Sequence, residues 1–428
     1  MLLPAPRQPR ATTRFSGWRI VVLAAVTTGM TSPGQTFGVS VWIDPMMATL
    51  GLTRTEISGA YLIGTLIGAT TLPRLGQVID RRGTRFAMAL MGGAFGVMLM
   101  AMAGVFGLVS LVIGFTGIRM FGQGGLTLVS QTAAAPWFDR RRGLAMGVKG
   151  AMGGAIMACI PLAIGALILP ATGWRGAWLV MGVIVLAVVL PIAAWGIIDR
   201  PSDVGQQPDG RPAAGDPDGA EDGEVVDAPA VSFTRREALT TAMFWAVALA
   251  VAATAMIGTA LGFHQIDLLG EQGLTPVQAA GNFVPQAVAG FTTTMAIGAM
   301  VDRLAPRWVL ALSMSTLAAA MIAVPFVQPG VSAMVYGMAI GVAGSAVRVM
   351  EAATFPKLYG LANIGAIRGV VFAVSVAASA FGPLALSLGR DLMGSYVAVL
   401  NVLLVVPLAI GVFGLVAPAP RRRTSATC

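Results

Sequence analysis

The chain contains little charge, little cysteine and almost no histidine. Charged residues make up 11% of its 428 positions and hydrophobic residues 56%, whereas ordinary soluble proteins carry about 25% charge. A soluble domain of this length needs more polar surface, so the composition excludes a soluble enzyme and a disordered chain. The two cysteines, Cys159 and Cys428, exclude a disulfide framework, and one histidine argues against a multi-histidine site. No metal and no cofactor is expected.

Long apolar runs are abundant instead. A helix that crosses a bilayer needs about 20 apolar residues. Twelve such runs lie at 20–43, 56–75, 86–106, 110–135, 144–168, 176–197, 242–263, 277–300, 308–327, 332–355, 369–389 and 395–417. Alternation of apolar and polar residues over ten positions, the pattern of barrel strands, does not occur. The sequence therefore predicts an all-α membrane protein with twelve transmembrane helices.

The positive residues indicate the orientation of these spans. With the N-terminus inside, 22 of the 28 Lys and Arg residues fall in inner segments, and only Arg54, Arg175 and Arg390 fall in outer loops. Because Lys and Arg concentrate in cytoplasmic loops, we expect a multi-pass protein of the cell inner (plasma) membrane with both termini cytoplasmic. The net charge of +9 then reflects topology, so no nucleic-acid partner is expected. The first run is too long for a signal peptide and is interpreted as an uncleaved span.

The chain divides into two halves. Residues 201–230 hold five Pro, five Gly and eight acidic residues, a composition that predicts a flexible tether. We therefore expect a basic cytoplasmic tail at 1–17, a six-helix bundle at 18–198, an acidic cytoplasmic linker at 199–238, a second six-helix bundle at 239–417 and a basic tail at 418–428.

The two halves share motifs at one offset. Gly51-Leu52-Thr53 recurs 222 residues later as Gly273-Leu274-Thr275. The same offset relates the loop after span two to the loop after span eight. In these loops Gly76, Asp80, Arg81 and Arg85 recur as Gly298, Asp302, Arg303 and Arg307. Two separate motifs at one offset predict a duplication and hence two bundles related by a pseudo-two-fold axis.

These features resemble a known family. The loop Gly76-x-x-x-Asp80-Arg81-x-Gly83-x-Arg85, the six-plus-six spans and the acidic linker resemble the major facilitator superfamily over about residues 18–417. The segments FGVS at 37–40, LTRTEIS at 52–58 and WFDRRRGLAMG at 137–147 are similar to its monocarboxylate and oxalate:formate branch. The resemblance implies two bundles that rock about a substrate site near the midplane. Members of that branch usually bind the carboxylate through an Arg in span eight, which this sequence lacks.

Ionisable residues inside the spans are the first candidates for substrate contact, because each costs about 3 kcal/mol to insert. Arg119, near the midplane of span four, either binds a carboxylate or braces neighbouring helices through their carbonyls. Lys149 of span five either contacts substrate or extends along lipid to the inner interface. Four glycines of span five share one face, which predicts close approach of another helix there: Gly143, Gly147, Gly150 and Gly154.

Span ten carries Arg348 and Glu351 on one face. Arg348 is a second candidate for binding an anion. Glu351 either forms a structural latch with Arg348, Arg303 or Arg307, or carries a proton during coupling. His264, expected near the outer surface, either senses protons or is an ordinary interfacial side chain.

Neutral polar residues complete the candidates. Each either contacts substrate or joins two helices by a hydrogen bond: Gln35, Gln131, Asn282 and Gln286. The last two would replace the missing arginine of span eight. The resemblance assigns gating of the conformational switch, with pairing to acids on the partner bundle, to the inner-loop residues Asp80, Arg81, Arg85, Asp302, Arg303 and Arg307.

The sequence thus predicts a transporter and not an enzyme. No nucleotide-binding loop is present, so the resemblance implies secondary transport by proton symport or anion exchange. The positive sum of the charges within the spans favours small organic anions, mono- or dicarboxylates. An alternative is a drug or metabolite:proton antiporter that exports lipophilic compounds, which the 24 methionines would suit. A further alternative is a sensor that keeps the transporter fold. The expected partners are the anion, protons or a counter-anion, and the bilayer, with the protein a monomer.

Overall fold

Helices make up the described part of the chain, and no strand occurs within it. This computed structural model describes residues 15–210, 233–300, 305–360, 363–418 and 420. Apolar runs become helices because each backbone N–H and C=O in a bilayer must find a partner within its own segment. The spans form two six-helix bundles with pseudo-two-fold symmetry, which we call the N-half and the C-half.

All six predicted spans of the N-half are helical. The α-helices are Gly17–Met30, Thr36–Val39 and Ile43–Leu50 in span one, Arg54–Thr70 in span two, Leu72–Met102 in the inner loop and span three, Leu108–Gly117 and Thr127–Ala134 in span four, Arg142–Ala163 in span five, and Leu169–Pro191 in span six. A π-helix, Ile118–Leu126, joins the two parts of span four. The left-handed Gly83 (φ 83°) and Gly173 (φ 67°) mark the turns that enter spans three and six.

The C-half repeats this arrangement. Its α-helices are Ala242–Phe263 in span seven, Gln265–Gly270 in the following loop, Pro276–Gly281 and Phe283–Met300 in span eight, Pro306–Ala323 in span nine, Val331–Tyr359 in span ten, Ile364–Met393 in span eleven, and Tyr396–Leu403 and Val405–Val416 in span twelve. Seven stretches of the described residues are long and apolar enough to cross a membrane by themselves, one of which, 142–196, contains two spans. Spans one, two and four contain α-helices of at most 17 residues.

The sequence repeat is also a structural repeat. Gly51 and Gly273 both adopt left-handed backbone conformations, with φ of 66° and 85°. Each precedes a helix whose Thr forms a capping box, Thr53 with Glu56 and Thr275 with Gln278. Because glycine tolerates positive φ and threonine caps a helix start, the same tripeptide specifies the same turn in both halves. The duplication predicted from the offset of 222 is consistent with this geometry.

Spans eight and ten approach each other through glycines. A Cβ on Gly337 would lie 2.0 Å from Asn282 Oδ1, and a Cβ on Gly341 would lie 2.1 Å from the Gln286 carbonyl oxygen. Small residues permit such contacts, which drive helix association in membranes. Of the four glycines predicted to form a contact face on span five, Gly147 alone neighbours another helix, with a Cβ position 3.9 Å from Met295. A Cβ on Gly143, Gly150 or Gly154 would meet nothing within 4 Å, whereas one on Gly153, outside the predicted face, would touch Thr28 of span one at 2.9 Å.

Replacing Gly341 by Ala is expected to destabilise the C-half, because the new methyl group would clash with a backbone oxygen that cannot rotate away. Overpacking of this kind costs about 1–3 kcal/mol. Gly258→Ala in span seven is the matched control, since a Cβ there meets nothing within 4 Å. Thermal unfolding in detergent should show a lower Tm for the Gly341 variant alone, and equal Tm values would contradict this packing.

The two halves contact each other at more than one depth, and several of these contacts lie near one end of the molecule. We call the end that carries Gly51, Gly273 and Gly394 the outer end, and the opposite one the inner end. Near the outer end, Phe37 of span one packs on Phe283 of span eight with ring centroids 5.5 Å apart. A Cβ on Gly165 would lie 3.8 Å from Ala280 across the same boundary.

The linker is more ordered at its ends than predicted. Residues 201–210, expected to be flexible, form two 3-10 turns, Pro201–Val204 and Pro208–Gly210. Asp209 accepts hydrogen bonds from the backbone N–H groups of Asp139 and Arg140 at 3.0 and 2.8 Å, which fastens the linker to the N-half. At the other end, Phe233 N–H donates to the Tyr359 carbonyl at 2.9 Å. The predicted tether between 211 and 230 lies outside the described residues.

Candidate functional site

Arg119 lies inside the N-half, and no ion pair joins it to an acid in the part of the chain that the structure describes. It stands on the π-helix of span four and is only 4% exposed. Its guanidinium lies 4.6 Å from the centre of the Tyr61 ring, and Nη1 donates weakly to the Gly34 carbonyl at 3.5 Å. The Nε–H has no hydrogen-bond partner in the described part of the chain. These contacts agree with the bracing alternative, and they leave donor capacity for a carboxylate.

Span one is broken where it meets Arg119. The helix ends at Met30, a 3-10 turn covers Ser32–Gly34, and Gln35 adopts an extended backbone conformation. Gln35 is 8% exposed and its Nε2 donates to Thr31 Oγ1 at 3.0 Å. Irregular backbone at membrane depth occurs where it is buried in protein or lines a cavity. Gln35 therefore lies close to Arg119, because the preceding residue, Gly34, contacts Arg119.

Lys149 is buried in protein and does not reach lipid. It is 4% exposed and lies four residues before Gly153, on the face of span five that packs on span one. The interpretation as a lysine that extends along lipid is therefore wrong. No ion pair or hydrogen bond joins its ammonium to another described residue. A buried cation without an acid is costly, and intramembrane cations of this kind mark substrate or ion pathways.

Helix contacts place Lys149 and Arg348 at one depth. Gly147 neighbours Met295 of span eight, so Lys149 is level with about residue 293. Gly290 neighbours Ser345 of span ten, so Arg348 is also level with about residue 293. Arg348 is exposed and donates to Ser345 Oγ at 3.0 Å. An exposed guanidinium at this depth is tolerated in a water-filled opening and not in lipid.

Arg119 lies farther toward the outer end. Gly153 packs on Thr28, so Lys149 is level with about residue 24 of span one, whereas Arg119 contacts Gly34. Ten residues of helix correspond to about 15 Å. The candidate cations therefore form two tiers: an outer tier with Arg119 and Gln35, and an inner tier with Lys149 and Arg348, one from each half.

The polar residues of span eight serve packing more than expected. Asn282 is 4% exposed, faces Gly337 of span ten, and its amide has no hydrogen-bond partner within the described ranges. Gln286 Nε2 donates to Gln265 Oε1 at 2.7 Å, and Gln265 Nε2 donates to the Ala279 carbonyl at 2.8 Å. Gln265 was missed, because an amide after the seventh run looks like an ordinary loop residue.

Two further candidates lie away from the cations. Gln131 is exposed and stands twelve residues beyond Arg119, about 18 Å along the helix, so the two do not share a site. His264, expected at the surface, is fully buried. Its Nε2 lies 2.9 Å from the Pro383 carbonyl oxygen of span eleven, which joins the two helices.

Glu351 has an unforeseen partner. Arg368, at the start of span eleven, donates to both carboxylate oxygens at 2.8 and 3.3 Å. The predicted pairing with Arg348 or Arg307 does not occur, and Arg303 lies outside the described residues. Because spans ten and eleven belong to the same half, the ion pair joins helices within the C-half.

The predicted gating residues make contacts within their own halves. Arg85 donates through Nη2 to the Ala194 carbonyl, and its backbone N–H donates to Asp199 Oδ1 at 2.7 Å. Arg81 is exposed and lines an inner-end cavity of about 980 Å³. Arg307 lies over the Trp308 ring at 5.7 Å. Expected pairing with the partner bundle is therefore not seen for Arg85. The side chain of Asp80, and Asp302 and Arg303 entirely, lie outside the description.

Sequence reasoning missed an ion cluster that joins the halves at the outer end. Arg54 is 8% exposed and donates through Nη2 to Asp44 Oδ1 at 2.6 Å, while its Nε lies 3.2 Å from Asp267 Oδ2 of the C-half. Tyr396 Oη donates to the same Asp267 oxygen at 2.7 Å. Nearby, Thr55 Oγ1 donates to Asp391 of span eleven at 2.5 Å. The sequence indicated only that Arg54 was an outer-loop charge.

Comparisons with known proteins agree with this architecture. The sequence model of the Major Facilitator Superfamily matches residues 20–383. An oxalate:formate antiporter from Oxalobacter formigenes is 26% identical over 184 residues, which is 41% of this chain and 42% of that protein. The match therefore spans less than half of the curated relative.

Solved structures show the same fold. A bacterial homolog of the human lysosomal transporter Spinster, in an inward-facing and occupied conformation, superposes with a TM-score of 0.67 at 15% identity, covering 94% of this chain and 96% of that one. The same homolog in an inward-facing and unoccupied conformation gives 0.64. With the family model matching most of the chain, this multi-pass membrane protein belongs to the major facilitator superfamily and is a transporter, not an enzyme.

Proposed function

We propose that this chain is a secondary transporter of small organic anions, mono- or dicarboxylates, in the cell inner membrane with both termini cytoplasmic. The observation that carries the proposal is Lys149, a buried cation with no acid partner among the described residues. An uncompensated buried charge is strongly unfavourable. A carboxylate from the substrate would supply the missing charge, since charge-assisted hydrogen bonds are among the strongest that a protein makes.

The other charges within the spans also favour a negatively charged substrate. Arg119 contacts the Tyr61 ring and the Gly34 carbonyl, Arg348 donates to the Ser345 hydroxyl, and none of these described partners is an acid. Glu351, the acid of span ten, is neutralised by Arg368. The space between the halves is therefore positive, which attracts anions and repels lipophilic cations. Similarity to an oxalate:formate antiporter over part of the chain supports the same substrate class.

The position of the cations supports alternating access. Lys149 belongs to the N-half and Arg348 to the C-half, at the same depth. An anion between them would attract both halves and favour closure around itself, after which the halves could open on the other side. The co-transported species is a proton in symport or a second anion in exchange, and the protein acts as a monomer.

A drug or metabolite:proton antiporter is the second candidate function. The adaptable methionines of the spans favour it, since a flexible thioether side chain packs against ligands of many shapes. Met295, half-exposed beside Gly147, is one such residue at the depth of the inner tier. In this reading Arg119 serves coupling and no anion binds to Lys149.

Transport by purified protein in liposomes distinguishes these functions. The assay would use labelled mono- and dicarboxylates with and without a pH gradient, beside lipophilic cations, for wild type and Arg119→Ala. We expect saturable carboxylate uptake that the variant loses. Proton-linked transport of lipophilic cations without any carboxylate signal would reject the proposal in favour of the antiporter.

Glu351→Gln separates a latch from a proton carrier. Because the ion pair with Arg368 is partly exposed, we expect the variant to lose only about 1 kcal/mol of stability and to keep the dependence of uptake on the pH gradient. Arg368→Gln is the matched variant and should behave in the same way. Loss of the pH dependence in Glu351→Gln alone would show that this carboxylate carries the proton.

A further inference from the structure

Tyr61 of span two contacts three other spans at once. It is fully buried, and its hydroxyl forms a 2.6 Å hydrogen bond with Thr36 Oγ1 of span one. Its ring lies 4.6 Å from the Arg119 guanidinium of span four. On another side the ring centroid lies 4.6 Å from that of Phe263 in span seven. Spans one, two and four belong to the N-half, whereas span seven, which carries Phe263, belongs to the C-half.

The Tyr61 ring covers Arg119 from the outer end. Gly64 packs on Thr116 and Gly68 on Met120, so residue n of span two is level with about n+52 of span four. Tyr61 is therefore level with about residue 113, six residues or about 9 Å outward of Arg119. Its ring contacts the guanidinium, and Tyr61 therefore lies between Arg119 and the outer surface.

We propose that Tyr61 positions Arg119 for substrate and couples its access from outside to the separation of the halves. The inference rests on the proposed function, in which Arg119 binds the anion. With the outer end closed, Phe263 packs on the outer tier and the ring stays on Arg119. When the halves separate there, Phe263 leaves with the C-half, and the ring can rotate away so that Arg119 meets an anion from outside.

Removing the ring should shift the conformational equilibrium. The cation–π contact stabilises Arg119 in the closed arrangement, where the charge has lost its water. A Tyr61→Leu variant lacks this stabilisation and should populate the outward-open state more. Tyr61→Phe keeps the ring over Arg119 and should resemble wild type, although it loses the hydroxyl that bonds Thr36. A tyrosine with a packing role alone would lower the Tm of Tyr61→Leu without increasing access to the boundary between the halves from outside.

A cysteine reporter measures the shift without any substrate. Ala280→Cys, in a background with Cys159→Ser and Cys428→Ser, places a small thiol at a fully buried position on the boundary between the halves. We expect a membrane-impermeant maleimide added outside to label Tyr61→Leu at least about tenfold faster than wild type, as loss of a desolvated cation–π contact implies. Tyr61→Phe should be labelled at the wild-type rate. Equal labelling of all three proteins would overturn the proposal.

Two further variants keep the test decisive. Phe115→Leu removes a buried ring 5.7 Å from Tyr61 within the N-half and should leave labelling unchanged. If Tyr61→Leu does not fold, Phe263→Leu removes the ring contact that holds Tyr61 from the C-half and should also accelerate labelling. Unchanged labelling would overturn the proposal.

Transport kinetics distinguish failure of this inference from failure of the proposed function. In Tyr61→Leu, the KM for external carboxylate should fall while the KM for internal carboxylate rises. If carboxylates are transported but both KM values change in the same direction, Tyr61 does not couple access, although the anion function stands. If no carboxylate is transported, the anion function fails, and the role of Tyr61 in positioning Arg119 for an anion fails with it.

Discussion

Lys149→Met is expected to raise the KM for carboxylates by roughly 10- to 100-fold, because a hydrogen bond to a charged group contributes about 1.5–3 kcal/mol. The methionine keeps the length and apolar stem of the side chain and removes only the charge. Since Lys149 has no acid partner among the described residues, its loss should leave no other charge unpaired. The fold should therefore be retained, with a Tm equal to or above that of wild type. Initial rates of uptake into liposomes, measured over a range of carboxylate concentrations, give the KM.

The other lysine of the chain provides a matched control. Lys357 lies at the inner end of span ten, nine residues beyond Arg348 of the inner tier, so Lys357→Met should leave the KM unchanged. Lys149→Arg keeps the positive charge and should retain much of the affinity. A wild-type KM in Lys149→Met, with wild-type folding, would show that this ammonium does not bind the substrate.

Breaking the Arg54–Asp267 pair is expected to open the outer end. Arg54 is buried, so Asp267→Asn leaves its guanidinium with Asp44 alone and removes the ionic contact between the halves. Removing one partner of a fully buried pair costs about 3–5 kcal/mol. The cost is smaller here because Asp44 remains bonded to Arg54, and part of it falls on the closed state only. We expect outside labelling of the Ala280→Cys reporter to rise by at least about tenfold. Arg54→Gln should act in the same direction, and the double variant should show less than the sum of the two effects.

Arg175 is the control for charge at the outer end. It is bonded to the Ala103 and Val105 carbonyls and lies over Trp174, all within the N-half. Arg175→Gln should therefore not change labelling. If Arg175→Gln opens the outer end as much as Asp267→Asn, the effect is a general one of surface charge, and the ion pair is not a gate.

The twelve spans and the repeat could be predicted because they depend on local properties. A run of apolar residues specifies a membrane helix regardless of its neighbours, and Gly-Leu-Thr specifies a left-handed turn followed by a capped helix. The gap at Met30–Gln35 and the π-helix of span four could not be predicted. Both arise where two helices adapt to each other, which requires knowing that spans one and four are in contact.

The candidate site was predictable in kind but not in arrangement. Arg119, Lys149 and Arg348 could be identified from the sequence, because a charged side chain within a membrane span is costly to insert and therefore rare. Which way each one faces depends on the packing partners of its helix. The glycines of span five suggested the wrong face, since Gly153 makes the close contact with span one. Glu351–Arg368 and Arg54–Asp267 join residues 17 and 213 positions apart, and helix periodicity does not relate such pairs.

Equilibrium binding of carboxylates to the purified protein is the sharpest test of the anion site, because it requires neither a coupling ion nor a direction of transport. We expect saturable binding of labelled mono- or dicarboxylate to wild type, with affinity lost in Lys149→Met and retained in Lys357→Met. Binding of lipophilic cations without any binding of carboxylates, or carboxylate binding that is indifferent to Lys149, would contradict an anion site built from unpartnered cations.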